Sequence, residues 1–511
     1  MDSRAHLRTP LVRRPRRRLP PAVAPGRGID TAEPRRDLVS TPDVSDVSDI
    51  IVVGAGIVGS AIARALAGTA LSVTLLEARG DVGDGTSKAN TALLHTGFDA
   101  KPGTLESTLV ARGYDLLGAY AEQTGIPVER TGALLVAWTD EERDALPGLQ
   151  DKALRNGYAE CEIVDAAEVY RRVPDLGPGA LAGLTVPGES LICTWTTNLA
   201  LATDAVQRGA RLLRNARVLH AEPADGHTTL RTTAGDVRGR WIVNAAGLGA
   251  DALDAEFGHH RFTVTPRRGE LLVFDKLARP MVPLIVLAVP SSRGKGVLVS
   301  PTIYGNVMVG PTSENLTDRT ATDTSEEGFD FLLSKGKALM PKLFDEEVTA
   351  SYAGLRAAID SDDYLIDVDA TQRYVLVGGI RSTGLTSGMA IAEHLMGLLG
   401  GTDLDLEPRA DLPDPPRMPN IGEVGVRPYE DAGRIAADPA YGRIVCFCER
   451  VTAGEIRDAF ASTIPPTDLD GLRRRTRVMN GRCQGFYCGA HTQALLESSG
   501  AEDADDVAAV R

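Results

Sequence analysis

Of the six cysteines in this 511-residue chain, four stand close together near the C-terminus, as Cys446-Phe447-Cys448 and Cys483-Gln484-Gly485-Phe486-Tyr487-Cys488. A C-x-C pair, a gap and a C-x4-C pair place four thiols in one short module. Four thiolates suit either an iron-sulfur cluster or a structural zinc ion. Zinc more often takes C-x2-C pairs, so the spacing leans towards iron. Either metal would also hold together a module too small to build much core. Cys161 and Cys193 stand alone and are expected to be buried thiols that fill space.

The second constellation lies far upstream, in Ile50-Ile51-Val52-Val53-Gly54-Ala55-Gly56-Ile57-Val58-Gly59. Gly54 permits a tight turn, Gly56 lets the backbone approach a pyrophosphate, and Gly59 lets a helix pack closely on the preceding strand. The amide groups at that helix start would face the phosphates. A second apolar run, Leu71 to Leu76, ends in Glu77, the usual place for an acid that binds a ribose. Glycines, helix and acid together predict a dinucleotide site, with NAD and FAD equally open.

The elements that must position these groups follow from the pattern of apolar runs. Asp49 to about Gly80 reads as a β-α-β unit. The polar, Gly-rich stretch Gly83 to Asp99 suits a loop folded over a cofactor and contains Ser87, Asn90 and His95. Helices are expected over Leu105 to Gln123, Asn198 to Arg208 and Glu326 to Leu339. Trp241 to Asn244 reads as a returning strand that ends in the turn at Gly247. Gly247, Gly249 and Ala252 with Glu270 imitate a second fingerprint, but Glu270 opens its strand and the turn Pro266-Arg267-Arg268 intervenes, so that reading is set aside. Residues Gly269 to Pro311 are β-rich, with a hairpin at Tyr304-Gly305-Asn306. Tyr374 to Val377 leads into Gly378-Gly379-Ile380-Arg381-Ser382-Thr383-Gly384-Leu385-Thr386 and a helix to Leu399, a third strand-turn-helix aimed at the same cofactor. The expected fold class is α/β: a Rossmann-like nucleotide fold with an inserted β-rich substrate domain and a small C-terminal four-cysteine domain.

Composition narrows the partners. The net charge is −14, although the first forty residues hold ten arginines against four acids. So acidic a body argues against nucleic acid. The Arg- and Pro-rich lead is expected to be disordered, with a targeting segment or a mis-set start as alternatives; its apolar run is too short and Pro-broken for a signal peptide. No apolar run is long enough to span a membrane. Few cysteines in a long chain make no disulfide framework and point to a reducing, cytoplasmic setting.

The loop Ser87 to Gly97, the run Pro266-Arg267-Arg268-Gly269-Glu270, the stretch Lys295 to Thr302 and the run Gly379 to Thr386 together resemble the FAD-dependent oxidoreductases of the glycine-oxidase and D-amino-acid-oxidase superfamily. The branch they are similar to is that of the bacterial glycerol-3-phosphate dehydrogenases and oxidases. The runs Asp438 to Cys446 and Gly481 to Cys488 resemble the bacterioferritin-associated-ferredoxin type of [2Fe-2S] domain, as fused in the anaerobic glycerol-3-phosphate dehydrogenase catalytic subunit. The resemblance implies FAD, held by Gly54, Gly56, Gly59, Glu77, Ser87, Asn90, Gly247, Gly379, Gly384, Leu385 and Thr386. It implies a [2Fe-2S] cluster on Cys446, Cys448, Cys483 and Cys488. It also implies His95 as the base that takes a proton from a secondary alcohol, a role that suits an imidazole titrating near neutrality. Arg356 falls where the superfamily holds an anionic substrate group, and Arg381 where it would sit beside the flavin.

The implied reaction is hydride transfer from a small anionic alcohol, foremost glycerol 3-phosphate, to flavin. Electrons then leave through the cluster to a protein acceptor or companion subunits, through which alone the chain would meet a membrane. A 2-hydroxy acid such as 2-hydroxyglutarate, or an amino acid, is the alternative substrate; a non-catalytic electron-transfer or redox-sensing subunit is the alternative of another class. Expected boundaries are 1–47 for the lead, 48–402 for the oxidoreductase domain with substrate-domain segments near 116–200 and 261–350, 403–440 for a linker, 441–498 for the cluster domain and 499–511 for an acidic tail. The sequence departs from relatives at Thr91-Ala92, where they usually have Ser-Gly, at Phe447, where an Arg commonly separates the cysteines, and at Leu191 to Thr197, which lacks their Asp-Pro. The run Arg473-Arg474-Arg475-Thr476-Arg477 is expected to be a solvated face, with docking of an acidic electron carrier as the alternative.

Overall fold

A computed structural model of the protein describes residues 47–290 and 296–499, with side chains up to residue 498. The Arg- and Pro-rich lead, the acidic tail and Lys295 lie outside the described residues.

The strand Val47–Val53 is the centre of the nucleotide fold, its second half, Ile50 to Val53, being buried on both faces. It pairs in parallel with Val73–Leu76 on one side and with Gly235–Asn244 on the other. The register aligns Val53 with both Leu76 and Asn244. Tyr374–Gly378 then pairs in parallel with the second half of that outer strand, Asn244 opposite Leu376. Four strands therefore end at one edge, and Gly54, Glu77, Ala245 and Gly379 all begin loops there. The crevice outside the carboxyl ends of parallel strands is where such sheets bind ligands.

The helix Ile57–Leu66 follows the first turn. Gly54 has φ +105°, and a side chain there would press within 2.5 Å of the Ala245 carbonyl. At Gly59 a Cβ would come within 1.8 Å of the Gly54 carbonyl oxygen, so helix and turn could not pack with any other residue. The roles assigned to these two glycines from spacing thus have a steric basis.

Among the described residues a second, nine-stranded sheet forms the inserted layer. Its long pair is Thr265–Phe274 against Val348–Ala358, antiparallel, with Arg267 opposite Arg356. The expected turn at Pro266-Arg267-Arg268 is instead part of this strand: Pro266 lies near its start, where a missing amide costs little. The hairpin Leu298–Pro301 with Val307–Gly310 forms as expected, as does the helix Glu326–Leu339, opened by the Ser325 cap. Asn198 to Arg208 extends backwards to Thr194, because the Cys193 sulfur caps the helix by accepting from the Thr196 amide.

The C-terminal module has a small core of Cys446, Val451, Ile456, Leu472, Val478, Cys488 and Leu495. A capping box of Thr452 and Glu455 opens its first helix, Ala453–Phe460. A second helix, Leu469–Thr476, carries the arginine run. The stretch read as a linker, 403–440, lies along the body: Met418 bonds back to the Thr124 carbonyl, Arg409 to that of Arg208, and Ile421 is buried. It also contains a short helix, Ala432–Ala437.

Candidate functional site

A cavity of about 1350 Å³ opens at the shared strand edge. Gly54, Gly56, Glu77, Ser87, Asn90, His95, Gly247, Arg267, Arg356, Gly379, Arg381, Gly384 and Leu385 all line it. Residues distant in sequence therefore meet at one place, as the three strand-turn-helix runs imply.

Its nucleotide end is built by backbone geometry. The Glu77 carboxylate accepts from the amides of Ala55 and Arg79 at 3.0 and 2.9 Å, which fixes it at the strand end. Burial raises its pKa, against the pull of those amides. The Ser87 hydroxyl accepts from the Ile57 amide at 2.9 Å, at the start of the first helix, where dinucleotide phosphates bind. Asn90 spends its side chain inside the protein, donating to the Ser87 carbonyl and the Thr194 hydroxyl and accepting from the Ala92 amide. It shapes the loop. Ala92, which departs from the pattern the resemblance implies, has φ +54°. Thr386 is buried outside the cavity lining and accepts from the His95 amide at 3.0 Å, fastening that loop to the helix Gly384–Leu399. Gly59 likewise serves packing and does not line the cavity.

His95 owes its setting to strand register. Leu93–Leu94 pairs with Ser190–Ile192, Leu94 opposite Ser190, so the next residue pair outward is His95 and Glu189. Glu189 is fully buried, and its Oε2 lies 2.9 Å from His95 Nδ1. Its other oxygen accepts from the Thr96 amide and hydroxyl at 2.7 and 2.9 Å. A carboxylate so held places the imidazole proton on Nδ1 and makes Nε2 the basic nitrogen. Sequence reasoning missed Glu189: only the pairing of two short strands, ninety-four positions apart, reveals it.

Arg356 and Arg267 face each other across the long strand pair. Arg267 bonds Asn315 and Arg356 bonds the Thr312 carbonyl; neither makes an ion pair among the described residues. Burial, and after it the facing guanidinium, lowers the Arg356 pKa from its usual value. Like charges directly opposite on a sheet are unfavourable by themselves. Arg381 differs: it is bound to Glu106 at 2.6 Å and to the Asp362 carbonyl, so its charge is already balanced at the cavity wall. A cation so paired has little charge left to offer a flavin placed beside it.

The four module cysteines form two pairs, Cys448 with Cys483 and Cys446 with Cys488, each within hydrogen-bonding contact and electrostatically linked to the other. Among the described residues no three thiol, imidazole or carboxylate groups converge closely enough to form a single-ion site. The two pairs supply the four cysteine donors that a [2Fe-2S] cluster takes. Burial pushes the Cys483 thiol up, but the Tyr487 amide, the Cys448 thiol and the amides of Gly485 and Phe486 outweigh it and hold the pKa below its ordinary value. Amides gathered around a sulfur favour the thiolate a cluster requires.

The arginine run is neither a solvated face nor a docking patch. Arg474 and Arg475 bind Asp81, beside the nucleotide strands, at 2.8 and 2.7 Å. Arg474 also reaches Asp84, and Arg475 the Ile464 carbonyl. Arg477 is buried between Glu449, Asn306 and the ring of Tyr304, which stacks on Trp195. The run clamps the cysteine module to the body.

Parallel strands ending on a dinucleotide cavity, with two arginines from the nine-stranded sheet and a histidine just beyond a strand of a separate three-stranded sheet, define a flavin-dependent oxidoreductase. The chain matches the model "FAD dependent oxidoreductase" over residues 49–398 and "BFD-like [2Fe-2S] binding domain" over 444–498. It belongs to that FAD-dependent oxidoreductase family and carries a [2Fe-2S] domain; its cofactors are FAD and a [2Fe-2S] cluster. Glycerol 3-phosphate dehydrogenase of Caloramator mitchellensis is 32% identical over 450 residues, covering 88% of this chain and 93% of that one. One subunit of the anaerobic glycerol-3-phosphate dehydrogenase of Escherichia coli K12 is 27% identical over 502 residues, covering 89% and 88%. The FAD-bound structure of L-alpha-glycerophosphate oxidase from Mycoplasma pneumoniae superimposes with a TM-score of 0.69 at 29% identity, covering 73% of this chain and 99% of that one. The protein is a FAD-dependent oxidoreductase of the glycerol-3-phosphate dehydrogenase and oxidase type with a [2Fe-2S] domain. Among the described residues no helix is long and apolar enough to cross a membrane.

Proposed function

We propose that this chain oxidises glycerol 3-phosphate at its secondary alcohol and passes the electrons out through the cysteine module. The facing guanidiniums of Arg267 and Arg356 carry this reading. Two adjacent cations without an acid suit a doubly charged group concentrated at one position, which a phosphate is. In 2-hydroxyglutarate the two negative charges sit on separate carboxylates, a poorer match to one paired site.

His95 Nε2 takes the hydroxyl proton as the carbon–hydrogen bond breaks, and Glu189 stabilises the imidazolium that results. Bound FAD supplies the hydride acceptor, and the [2Fe-2S] cluster a one-electron exit. Gly54, Gly56, Ser87 and the start of the first helix hold the dinucleotide; Glu77 meets its ribose. Cys446, Cys448, Cys483 and Cys488 hold the cluster. Because the Escherichia coli relative is by its name one subunit of an enzyme, companion subunits that receive the electrons are part of the proposal.

Mixing with substrate under anaerobic conditions tests the chemistry. Glycerol 3-phosphate should bleach the flavin and generate the reduced-cluster signal in electron paramagnetic resonance. Bleaching by 2-hydroxyglutarate or an amino acid instead would overturn the substrate, and bleaching with an unreduced cluster would overturn the exit route. His95→Ala should slow bleaching about 10²–10⁴-fold with FAD content unchanged; an unaltered rate removes the base. Glu189→Gln should slow it less and shift its pH profile, which a purely structural role would not do.

A further inference from the structure

We propose that the aromatic tip of the cysteine module is the docking face for an acidic protein that carries single electrons. The inference rests on the reading that electrons leave through the cluster. Phe486, Tyr487 and Phe447 are 84%, 77% and 73% exposed, the highest values for large apolar side chains among the described residues. All three stand in the loops that supply the thiols: Phe447 between Cys446 and Cys448, Phe486 and Tyr487 just before Cys488. The rings of Phe486 and Tyr487 meet edge to face, with centroids 5.3 Å apart. Cys448 and Cys483 are only half-buried, whereas Cys446 and Cys488 are enclosed, so one side of the thiol set comes close to the surface.

The contacts of Cys446 with Cys488 and of Cys448 with Cys483 bring the Phe447 loop beside that of Phe486 and Tyr487, and exposed aromatics so placed mark a contact surface. Each aromatic side chain can bury about 150–250 Å², so three supply the apolar centre of an interface of the small size found in transient electron-transfer encounters, below about 1,200 Å². The surrounding charge selects the partner. Arg443, Arg450 and Arg482 are exposed in these same loops, Arg482 sharing its charge with Asp275 and the exposed Glu347 of the body. The single acid in residues 442–450 and 481–490 is Glu449, which is buried and bound to Arg477 and Lys276. The tip is therefore locally basic in a chain of net charge −14. Because screening limits exposed charges to about 8 Å at physiological salt, an approaching carrier meets the local arginines more than the distant acidic body. In each encounter the carrier's oxidised centre gains one electron from the module, and no atom is exchanged.

The test uses the holoenzyme with excess glycerol 3-phosphate under anaerobic conditions. The probes are an acidic b-type cytochrome, a basic c-type cytochrome and ferricyanide. The wild type should reduce the acidic cytochrome faster than the basic one, with the advantage shrinking as salt rises. Phe486→Ser with Tyr487→Ser should slow reduction of the acidic cytochrome by roughly tenfold or more, as expected for loss of aromatic anchors. Ferricyanide reduction and the substrate-generated cluster signal should not change. If the double variant loses its cluster, Tyr487→Ser alone carries the same expectation. Undiminished cytochrome reduction, or preference for the basic cytochrome, overturns the proposal. So does loss of self-association in sedimentation, or of binding to phosphatidylglycerol vesicles, with cytochrome reduction intact; these assign the tip to a second copy or to a membrane surface. A wild-type cluster that stays oxidised with substrate identifies failure of the exit route itself.

Discussion

Two groups of arginines are set into this protein, and they differ in what balances them. Arg474, Arg475 and Arg477 are buried and paired with Asp81, Asp84, Glu449 and backbone carbonyls. Arg267 and Arg356 line the cavity opposite each other and have no carboxylate among the described residues. In sequence the first group is the more conspicuous, as three members of a run of four arginines in five residues; the second is two arginines 89 positions apart. Conspicuous basic sequence here is internal adhesive, and the site that suits an anion is assembled from scattered residues. Charge balance in the folded state separates the two; charge density along the chain does not.

The largest effect that sharpens this contrast is expected at the clamp. Arg475→Met leaves Asp81 buried with half its partners and should cost about 3–5 kcal/mol in denaturant unfolding, the usual consequence of breaking a buried ion pair. Replacing Asp81 by Leu in the same chain should recover much of that loss. Equal stability of the single variant and wild type would erase the distinction between the two groups.

Arg356→Met should do the opposite: leave stability unchanged or improved, while lowering kcat/KM for glycerol 3-phosphate by roughly tenfold to a hundredfold, the worth of about 1.5–3 kcal/mol for a charged hydrogen bond. Glycerol 3-phosphate at 100 times its Kd should stabilise the wild type by about 2.7 kcal/mol against thermal unfolding. In the variant that protection should fall to about 0.4–1.4 kcal/mol. An undiminished kcat/KM would show that the pair does not hold the substrate.

The smallest effect is a dependence on pH. Burial pushes the Asp81 carboxyl up, but Arg475 and Arg474 more than compensate and hold it below its ordinary value of 3.8. Its contribution to stability is therefore complete above 3.8 and disappears as pH falls through the lowered folded value. The stability gap between wild type and Asp81→Asn should close over that acidic interval. A gap that stays constant would mean that the carboxylate charge contributes nothing to the clamp.

The N-terminal glycine turn, the order of strands and helices around it and the four-cysteine module are legible in the chain because each is local. Gly54 and Gly59 are required by contacts within one turn and one helix, and amphipathic or apolar runs carry their own period. Pro266-Arg267-Arg268 reads wrongly as a turn for the complementary reason. Proline, two charges and a glycine resemble a turn locally, and only the long partner strand Val348–Ala358 makes them a strand and points Arg267 at Arg356.

The sequence by itself determined that a dinucleotide and a thiolate-bound metal centre belong to one chain, since glycine spacing and cysteine content act through short-range sterics and ligand chemistry. Only the tertiary structure decided which charges are left to act on a ligand. Glu189 meets His95 through the register of two short strands, Arg267 meets Arg356 through another, and the arginine run disappears into Asp81 and Glu449. The physical reason is that the consequence of a charge depends on its neighbours in space and on the water removed from it, neither of which a linear order of residues contains.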